Sequence, residues 1–373
     1  MRGPQARPVV IAAGGTGGHF FPAEALAAEL LRRGERVVLM TDARSGGLNS
    51  TVFAQCERFV LRGAGIAGRG LVKAMRAGVA LGLGTWQARR MLARLQPAAV
   101  VAFGGYPSVA PVLGASMLRR GARPAIVLHE QNAVLGRANR FLSRRADRLA
   151  LSHAATAGVP AGVATEVTGN PVRPAVAALA GAGYAAPQAQ LRLLVLGGSL
   201  GARVFSDVVP AAVALLPQAA RARLVVTQQC RAEDLARVRA AYAACDVPAE
   251  LSPFFTDVAG LLAAAHLVIT RAGASTVAEL AVAGRPGLLV PLPSAIDDHQ
   301  TANAKALQDA GAAWVLPQPG FTAEALAARL TDFLAHPALL AEAAAATRIV
   351  ATADAAARLA DLVQRHAHQE TRL

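Results

Sequence analysis

Pro8-Val9-Val10-Ile11-Ala12-Ala13 runs straight into Gly14-Gly15-Thr16-Gly17-Gly18-His19, and the stretch from Pro22 to Arg33 that follows has helical spacing. A short β-branched run, a glycine loop and an amphipathic helix are how a βαβ unit opens. Pro22 suits a first helical turn and Gly34 a stop. The scheme restarts in the second half, where Leu191–Leu196 leads into Gly197-Gly198-Ser199-Leu200-Gly201 and another helix. A matched pair of such openings predicts an α/β protein of two parallel-sheet domains.

Outward from these two points the alternation continues. The first half has strand candidates at Arg36–Thr41, Ala98–Phe103, Ala125–His129 and Arg148–Leu151. The second has Arg223–Thr227, Leu267–Thr270, Gly287–Pro291 and Ala313–Leu316. Between them lie Gly169-Asn170-Pro171-Val172-Arg173-Pro174 and an Ala/Gly/Pro/Gln-rich run, a composition typical of a connection. We therefore expect a first domain over residues 1–172, a linker over 173–190 and a second domain over 191–336. The tail, 337–373, reads as helical and is long enough to reach back onto the first domain.

A length of 373 residues, 54% of them apolar, is enough for two cores. Cys56, Cys230 and Cys245 form no CxxC pair, so neither a disulfide framework nor a zinc site is expected, and a reducing cytoplasm fits. The run Val9–Ala13 is a strand's length rather than a signal peptide's core. Leu95–Leu118 is uncharged, but Gly104-Gly105-Tyr106-Pro107 and Pro111 interrupt it, which favours strand, loop and helix over a membrane span. The net charge of +14 lies entirely in the first half: residues 1–172 hold 22 basic and 8 acidic side chains, residues 173–373 hold 16 of each. Such asymmetry points to an anionic partner or to a solvated basic surface.

The polar clusters sit where these strands end. Gly14-Gly15-Thr16-Gly17-Gly18 lets backbone N–H groups approach a phosphate at a helix N-terminus. It has neither the G-x-G-x-x-G spacing nor the Lys-Ser/Thr of a P-loop. His19, at the loop–helix junction, is placed to take a proton from a sugar hydroxyl. Gly104-Gly105-Tyr106-Pro107-Ser108 reads as a second phosphate- or sugar-contacting loop. His129-Glu130-Gln131-Asn132, followed by Asn139 and Arg140, groups polar side chains that must meet a ligand or one another. In the second half, Ser275 or Thr276 is positioned to cap the helix after Leu267–Thr270, whose free N–H groups suit a diphosphate, and Glu279 suits ribose hydroxyls. Asp297-Asp298-His299-Gln300 precedes a helix containing Asn303. No D-x-D pair occurs and no spacing matches a common metal site, so no metal and no cofactor are expected.

In order, GGTGGH at 14–19, GGYPS at 104–108, HEQN at 129–132, NPVR at 170–173, GGSLGAR at 197–203, RAGASTVAE at 271–279 and DDHQTANA at 297–304 closely resemble one family. It is the bacterial MurG family, which moves N-acetylglucosamine from UDP onto undecaprenyl-diphospho-muramoyl-pentapeptide, the last cytoplasmic step of peptidoglycan precursor synthesis. The resemblance implies the GT-B architecture, two Rossmann-like parallel-sheet domains facing a cleft, and an inverting, metal-independent hexosyltransferase. It implies donor contacts from Thr16, Gly17, Gly18, Asn132, Arg173, Ser199, Phe255, Ala274, Ser275, Thr276, Val277, Ala278, Glu279 and Gln300. Where the family has an aliphatic residue followed by an acid near the uracil, this chain reads Phe254-Phe255-Thr256-Asp257. Acceptor contacts are expected from Gly14, Gly15, Gly104, Gly105, Tyr106 and Asn139. His19 is the candidate base and Glu130 the alternative.

A lipid-diphosphate acceptor lies in an anionic membrane, so the resemblance also implies a peripheral enzyme on the cytoplasmic face of the inner membrane. The candidate docking patch is Ile66–Arg94, where Leu71, Val72, Met75, Val79, Leu81, Leu83 and Trp86 are interleaved with Arg69, Lys73, Arg76, Arg89 and Arg90. Rival readings are a nicotinamide-dependent oxidoreductase using Asp42, a basic binding module, and a GT-B transferase with a different lipid or small-molecule acceptor. The oxidoreductase lacks its dinucleotide loop. Nucleic-acid binding is not expected, because no strand interleaves aromatic with basic residues.

Overall fold

The computed structural model describes residues 7–15, 17–42, 50–61, 71–198 and 201–369, with the side chains of 71–74 and 368–369 outside that description. The chain forms two compact units, residues 1–174 together with 354–373, and residues 175–353.

Unit 1 is built on β1 (Val9–Ala12), β2 (Val37–Asp42), β3 (Glu57–Leu61), β4 (Ala99–Ala102), β5 (Ala125–Glu130), β6 (Arg148–Leu151) and β7 (Thr165–Val167). All pairings are parallel, in the order β3-β2-β1-β4-β5-β6-β7. Its helices are α1 (Gly17–Arg32), α2 (Leu71–Leu95), α3 (Val109–Ser116) and α4 (Arg137–Leu142). Side chains alternate across a strand, so Val9 and Ile11 enter one core and Val10 and Ala12 the other. Burial on both faces explains why the central strands read as continuous apolar runs.

Unit 2 repeats the plan with β8 (Leu191–Leu196), β9 (Leu224–Gln229), β10 (Ala249–Ser252), β11 (Leu267–Thr270), β12 (Gly287–Leu289) and β13 (Ala313–Val315), again all parallel, in the order β10-β9-β8-β11-β12-β13. After the short α5 (Pro174–Ala177), its helices are α6 (Arg203–Leu215), α7 (Gln218–Arg221), α8 (Leu235–Ala243), α9 (Val258–Ala264), α10 (Ala274–Ala283), α11 (His299–Asp309), α12 (Ala323–Ala335) and α13 (Ala338–Val350). Leu191, Leu193 and Val195 pack with Phe205 and Val209 of α6 and Leu330 and Phe333 of α12.

The last helix, α14 (Ala355–Gln369), belongs to unit 1, whereas α13 belongs to unit 2. Leu359, Leu362 and Val363 of α14 pack beside α1 against Ile11, Val101 and Val127. Arg33 donates to Gln364 Oε1 at 2.8 Å and to the Ala357 carbonyl at 3.2 Å, and Gln364 donates to Glu35 at 2.6 Å.

Two sequence expectations need correction. Helix α1 begins at Gly17, not Pro22, and Pro22 lies inside it. The first helical N–H groups have no intrahelical partner, and the missing N–H of Pro22 forgoes only a bond to Gly18. Strands β3, β7 and β10 were not expected. Each is an edge strand with several half-buried or exposed residues, so it lacks the apolar run that marks the others.

Truncating the fully buried Leu362 leaves a cavity beneath the sheet, so Leu362→Ala is expected to cost unit 1 about 2–5 kcal/mol. Removing the exposed Arg365–Glu166 pair with Arg365→Ala should cost less than about 1 kcal/mol. Urea unfolding followed by hydrogen exchange at β1 and β4 separates the two.

Candidate active site

In each sheet the strand order reverses once, between β1 and β4 and between β8 and β11. At such a point successive loops leave in opposite directions and open a crevice at the strands' carboxyl ends. In unit 1 Ala12 pairs with Ala102, so the loops after β1 and β4 are neighbours. Gly15 has φ +84°, in the left-handed region. A Cβ on Gly17 would stand 2.8 Å from the Phe21 ring, so a larger residue there would push that ring aside. Thr16 lies outside the described residues.

His19, half-buried in the first turn of α1, lies against the second loop. A Cβ on Gly105, where φ is +67°, would be 3.5 Å from His19 Cε1 and 3.6 Å from Nδ1. Ser108 Oγ donates to the Gly104 carbonyl at 2.7 Å, with the Ala12 carbonyl at 3.3 Å, and ties this loop to β1. Gly14 is buried, Gly18 exposed and Tyr106 half-buried. The guanidinium of Arg173 stacks over the Phe21 ring at 4.9 Å, which brings the connection after β7 beside the start of α1.

The cluster after β5 is largely self-satisfied, with the buried Oδ1 of Asn139 left without a hydrogen-bond partner. Glu130 is 2% exposed. Its Oε1 accepts from the N–H of Asn132 at 3.1 Å and from Asn132 Nδ2 at 3.0 Å. Its Oε2 accepts from the Gly136 N–H and from Asn139 Nδ2, both at 2.9 Å. Both carboxylate oxygens of Glu130 are thus engaged within the cluster. Asn139 is 1% exposed and also donates to the His129 carbonyl at 3.0 Å. Its amide lies against Gly104, where a Cβ would come 3.2 Å from Asn139 Nδ2. His129 is fully buried, its Nε2–H donating to the Gly169 carbonyl and its Nδ1 accepting from Gln131 Nε2, each at 3.0 Å. Burial drives its pKa down to about 4, against the Gly169 hydrogen bond and the Glu130 charge, so the ring is neutral near pH 7.

In unit 2, Leu196 pairs with Thr270, and the loops at the reversal carry Gly197-Gly198 and Arg271-Ala272-Gly273. Ser199 lies outside the described residues. The N-cap of α10 is Gly273 and no side chain caps the helix. The expected cap from Ser275 or Thr276 is therefore corrected: both lie within the first turn, half-buried. Without an N-cap side chain, the α10 N-terminus presents backbone N–H groups and its dipole to an anion. Ala274 and Val277 face the core, so they can offer only backbone, while Ala278 is half-buried and Glu279, one turn on, is 6% exposed.

Gln300 holds this turn. Its Oε1 accepts from the N–H groups of Ala272 at 3.2 Å and Leu292 at 3.0 Å, while Asn303 donates to the Ala272 carbonyl at 3.1 Å. Arg271 donates to the carbonyls of Val290 and Pro291 and to Gln318, and stacks on Phe205, so it is bound into the fold. Phe255 is half-buried and Phe254 exposed in the loop after β10, which Asp257 closes by capping α9 at the Gly260 N–H. Among the described residues, no three His, Cys, Asp or Glu side chains come together as metal ligands.

Residues 9–151 match the glycosyltransferase family 28 N-terminal domain, and residues 192–361 match the family's C-terminal domain. The chain belongs to glycosyltransferase family 28. Family-28 relatives carry the name UDP-N-acetylglucosamine–N-acetylmuramyl-(pentapeptide) pyrophosphoryl-undecaprenol N-acetylglucosamine transferase. One from Granulibacter bethesdensis is 64% identical, over 98% of this chain and 95% of its own. Another from Gluconobacter oxydans is 54% identical, over 96% of this chain and 98% of its own. The crystal structure of Acinetobacter baumannii MurG is 32% identical and superposes with a TM-score of 0.76, covering 96% of this chain and 99% of that one. The family-28 fold is thus GT-B, with two Rossmann-like parallel-sheet domains.

Sequence reading missed two residues. Phe21 links Gly17 to Arg173, and its only signal was an aromatic inside the first turn of a glycine-started helix. Gln229 had none, because its partners are backbone groups remote in sequence.

Between pH 6.5 and about 4 the unfolded chain binds a proton that folded His129 refuses. The stabilisation is whole above pH 6.5 and is lost as pH falls through about 4, amounting to about 3 kcal/mol. Unit 1 stability, measured by urea unfolding at several pH values, should fall more steeply across this window in wild type than in His129→Asn. Equal slopes would show that His129 carries no such linkage.

Proposed function

We propose that this enzyme transfers N-acetylglucosamine from UDP-N-acetylglucosamine to the C4 hydroxyl of the muramoyl residue of undecaprenyl-diphospho-muramoyl-pentapeptide, with inversion and without a metal. The reaction belongs to peptidoglycan synthesis, and so to cell-wall biogenesis and to the cell shape and division that depend on it. The observation that carries this reading is near-full-length identity of 64% to a relative bearing that name. The two reversal-point loop pairs supply the chemistry it needs.

On unit 2, the diphosphate of the donor meets the uncapped start of α10 and the Gly197–Gly198 loop with Ser199. Backbone N–H groups from Ala274 to Ala278 lie along this turn, Glu279 takes the ribose hydroxyls, and Phe255 borders the uracil. Gln300, its Oε1 already taken by two backbone donors, offers its amide nitrogen. On unit 1, Thr16, Gly17, Gly18, Asn132 and Arg173 approach the donor sugar, while Gly14, Gly15, Gly104, Gly105 and Tyr106 receive the acceptor. His19 accepts the proton of the C4 hydroxyl as that oxygen bonds to the anomeric carbon. The bond from that carbon to the β-phosphate oxygen breaks, and UDP departs with the electron pair. Fixed N–H dipoles stabilise its charge. Glu130 and Asn139 position Asn132 and Gly104 rather than act on substrate.

The membrane-facing part of the proposal rests on α2. Met75 is 65% exposed, Val79 64%, Leu83 53% and Trp86 58%, at a spacing that puts them on one side of the helix. Arg76, Arg89 and Arg90 are exposed around them, Arg90 lying 5.5 Å from the Trp86 ring centroid. An apolar stripe edged by arginines suits an anionic lipid surface. Leu81 packs on the core and leaves the patch, and residues 66–70 and the side chains of Leu71, Val72 and Lys73 lie outside the described residues. Among those residues no single helix is long and apolar enough to cross a membrane.

Transfer from UDP-N-acetylglucosamine to a muramoyl-diphospholipid should survive EDTA. His19→Ala should lower kcat about 10²–10⁴-fold with UDP affinity within about threefold of wild type. Near-normal turnover would remove His19 as the base. Co-sedimentation with vesicles rich in anionic lipid should fall in the double variant Leu83→Glu, Trp86→Glu. Binding indifferent to both lipid charge and these substitutions would overturn the docking surface.

A further inference from the structure

Gln229 ends β9, one strand away from the reversal point, and is 8% exposed. Its Oε1 accepts from the Gly197 N–H at 3.0 Å. Its Nε2 donates to two carbonyls, Gly198 at 3.1 Å and Pro253 at 3.1 Å. One side-chain amide thus joins the glycine loop after β8 to the loop after β10, which carries Phe254 and Phe255. Only a primary amide can accept from one backbone group while donating to two others.

Three glycines, Gly197, Gly198 and Gly201, shape the loop it holds. Gly198 has φ +78° and Gly201 φ +68°, and a Cβ on Gly197 would come 2.5 Å from the Ala202 nitrogen. Glycines are required for that tight path, yet they lose more freedom on ordering than any other residue. An anion-binding loop has to be ordered before the ligand arrives if binding is not to be weakened by the ordering entropy. The Gly198 carbonyl also accepts from the Gly201 N–H at 3.1 Å, so Gln229 braces a loop already closed on itself.

We propose that Gln229 is a positioning residue for the nucleoside-diphosphate donor, fixing the diphosphate-facing glycine loop and the base-facing loop in one arrangement. This rests on the donor reading of unit 2 given above. Base and diphosphate are then recognised together, each being bound better when the other loop is already in place. Gln229 itself touches neither.

The test uses the full chain and compares wild type with Gln229→Leu, Gln229→Glu and, as a control, Tyr242→Phe. Gln229→Leu is near in size and makes none of the three bonds. Gln229→Glu keeps the acceptor for Gly197 but sets an anionic oxygen against two carbonyls. Tyr242→Phe removes the buried 2.6 Å bond to the neighbouring Gln228 and so reports on damage to the unit 2 core alone. Calorimetric binding of uridine, UMP and UDP is measured alongside transfer kinetics with UDP-N-acetylglucosamine. Both Gln229 variants should raise KM for the donor by about tenfold or more with kcat within about threefold, since two or three hydrogen bonds of ordinary strength are lost. The affinity gained between UMP and UDP should shrink in both. Tyr242→Phe should lower the melting temperature and leave KM unchanged. Donor KM within about twofold of wild type in Gln229→Leu, or an equal KM rise in Tyr242→Phe, would overturn the positioning role alone. Failure of wild type to bind UDP would remove the donor reading and this inference with it.

Discussion

A parallel strand cannot be followed by its neighbour without a crossover, and crossovers of one hand force the sheet to grow in one direction. Each sheet here grows from β1 or β8 toward one edge and then restarts on the other side through β4 or β11. Everything chemically interesting in this chain follows from that restart. It parts two loops at the strands' carboxyl ends and leaves space there for something other than protein. Glycines line that space, where a backbone without side chains can be approached closely.

Loops built of glycine have to be held by something else, and the two units solve this alike. In unit 1, Glu130 at the end of β5 gathers four N–H donors from Asn132, Gly136 and Asn139. Asn139 in turn lies under Gly104, where a Cβ would come 3.2 Å from its Nδ2. In unit 2, Gln229 at the end of β9 accepts from the Gly197 N–H and donates to the Gly198 and Pro253 carbonyls. Both are buried polar groups at strand ends beside the loop they order, and both are nearly saturated. Buried groups with every valence met make rigid frames, which is why they are better suited to placing atoms than to exchanging protons.

The fold was legible where burial left a simple record. Central strands buried on both faces appear as runs such as Val9–Ala13 and Leu191–Leu196, and the paired glycine loops announced the two sheets. Edge strands β3, β7 and β10 mix exposed with half-buried positions, and no period survives that mixture. Residue types at the site were readable, but their division of labour was less so. Four polar residues in a row at His129–Asn132 are equally consistent with a ligand site and with a self-bonded clamp, and only distances separate the two. Gln229 was invisible because its partners are main-chain atoms, which carry no sequence signature.

The chain leaves unit 1 at Pro174 and supplies it again only from Asp354 onward. Helix α14 therefore emerges after unit 2 during synthesis, and it covers the face of the first sheet made of Ile11, Val101 and Val127. Unit 2 can finish its core while that face is still uncovered. An exposed apolar sheet is a target for misassembly and for chaperones. For this molecule the vulnerable interval in biogenesis falls on the half made first. The same dependence means that a fragment ending near residue 174 lacks the helix that covers this face.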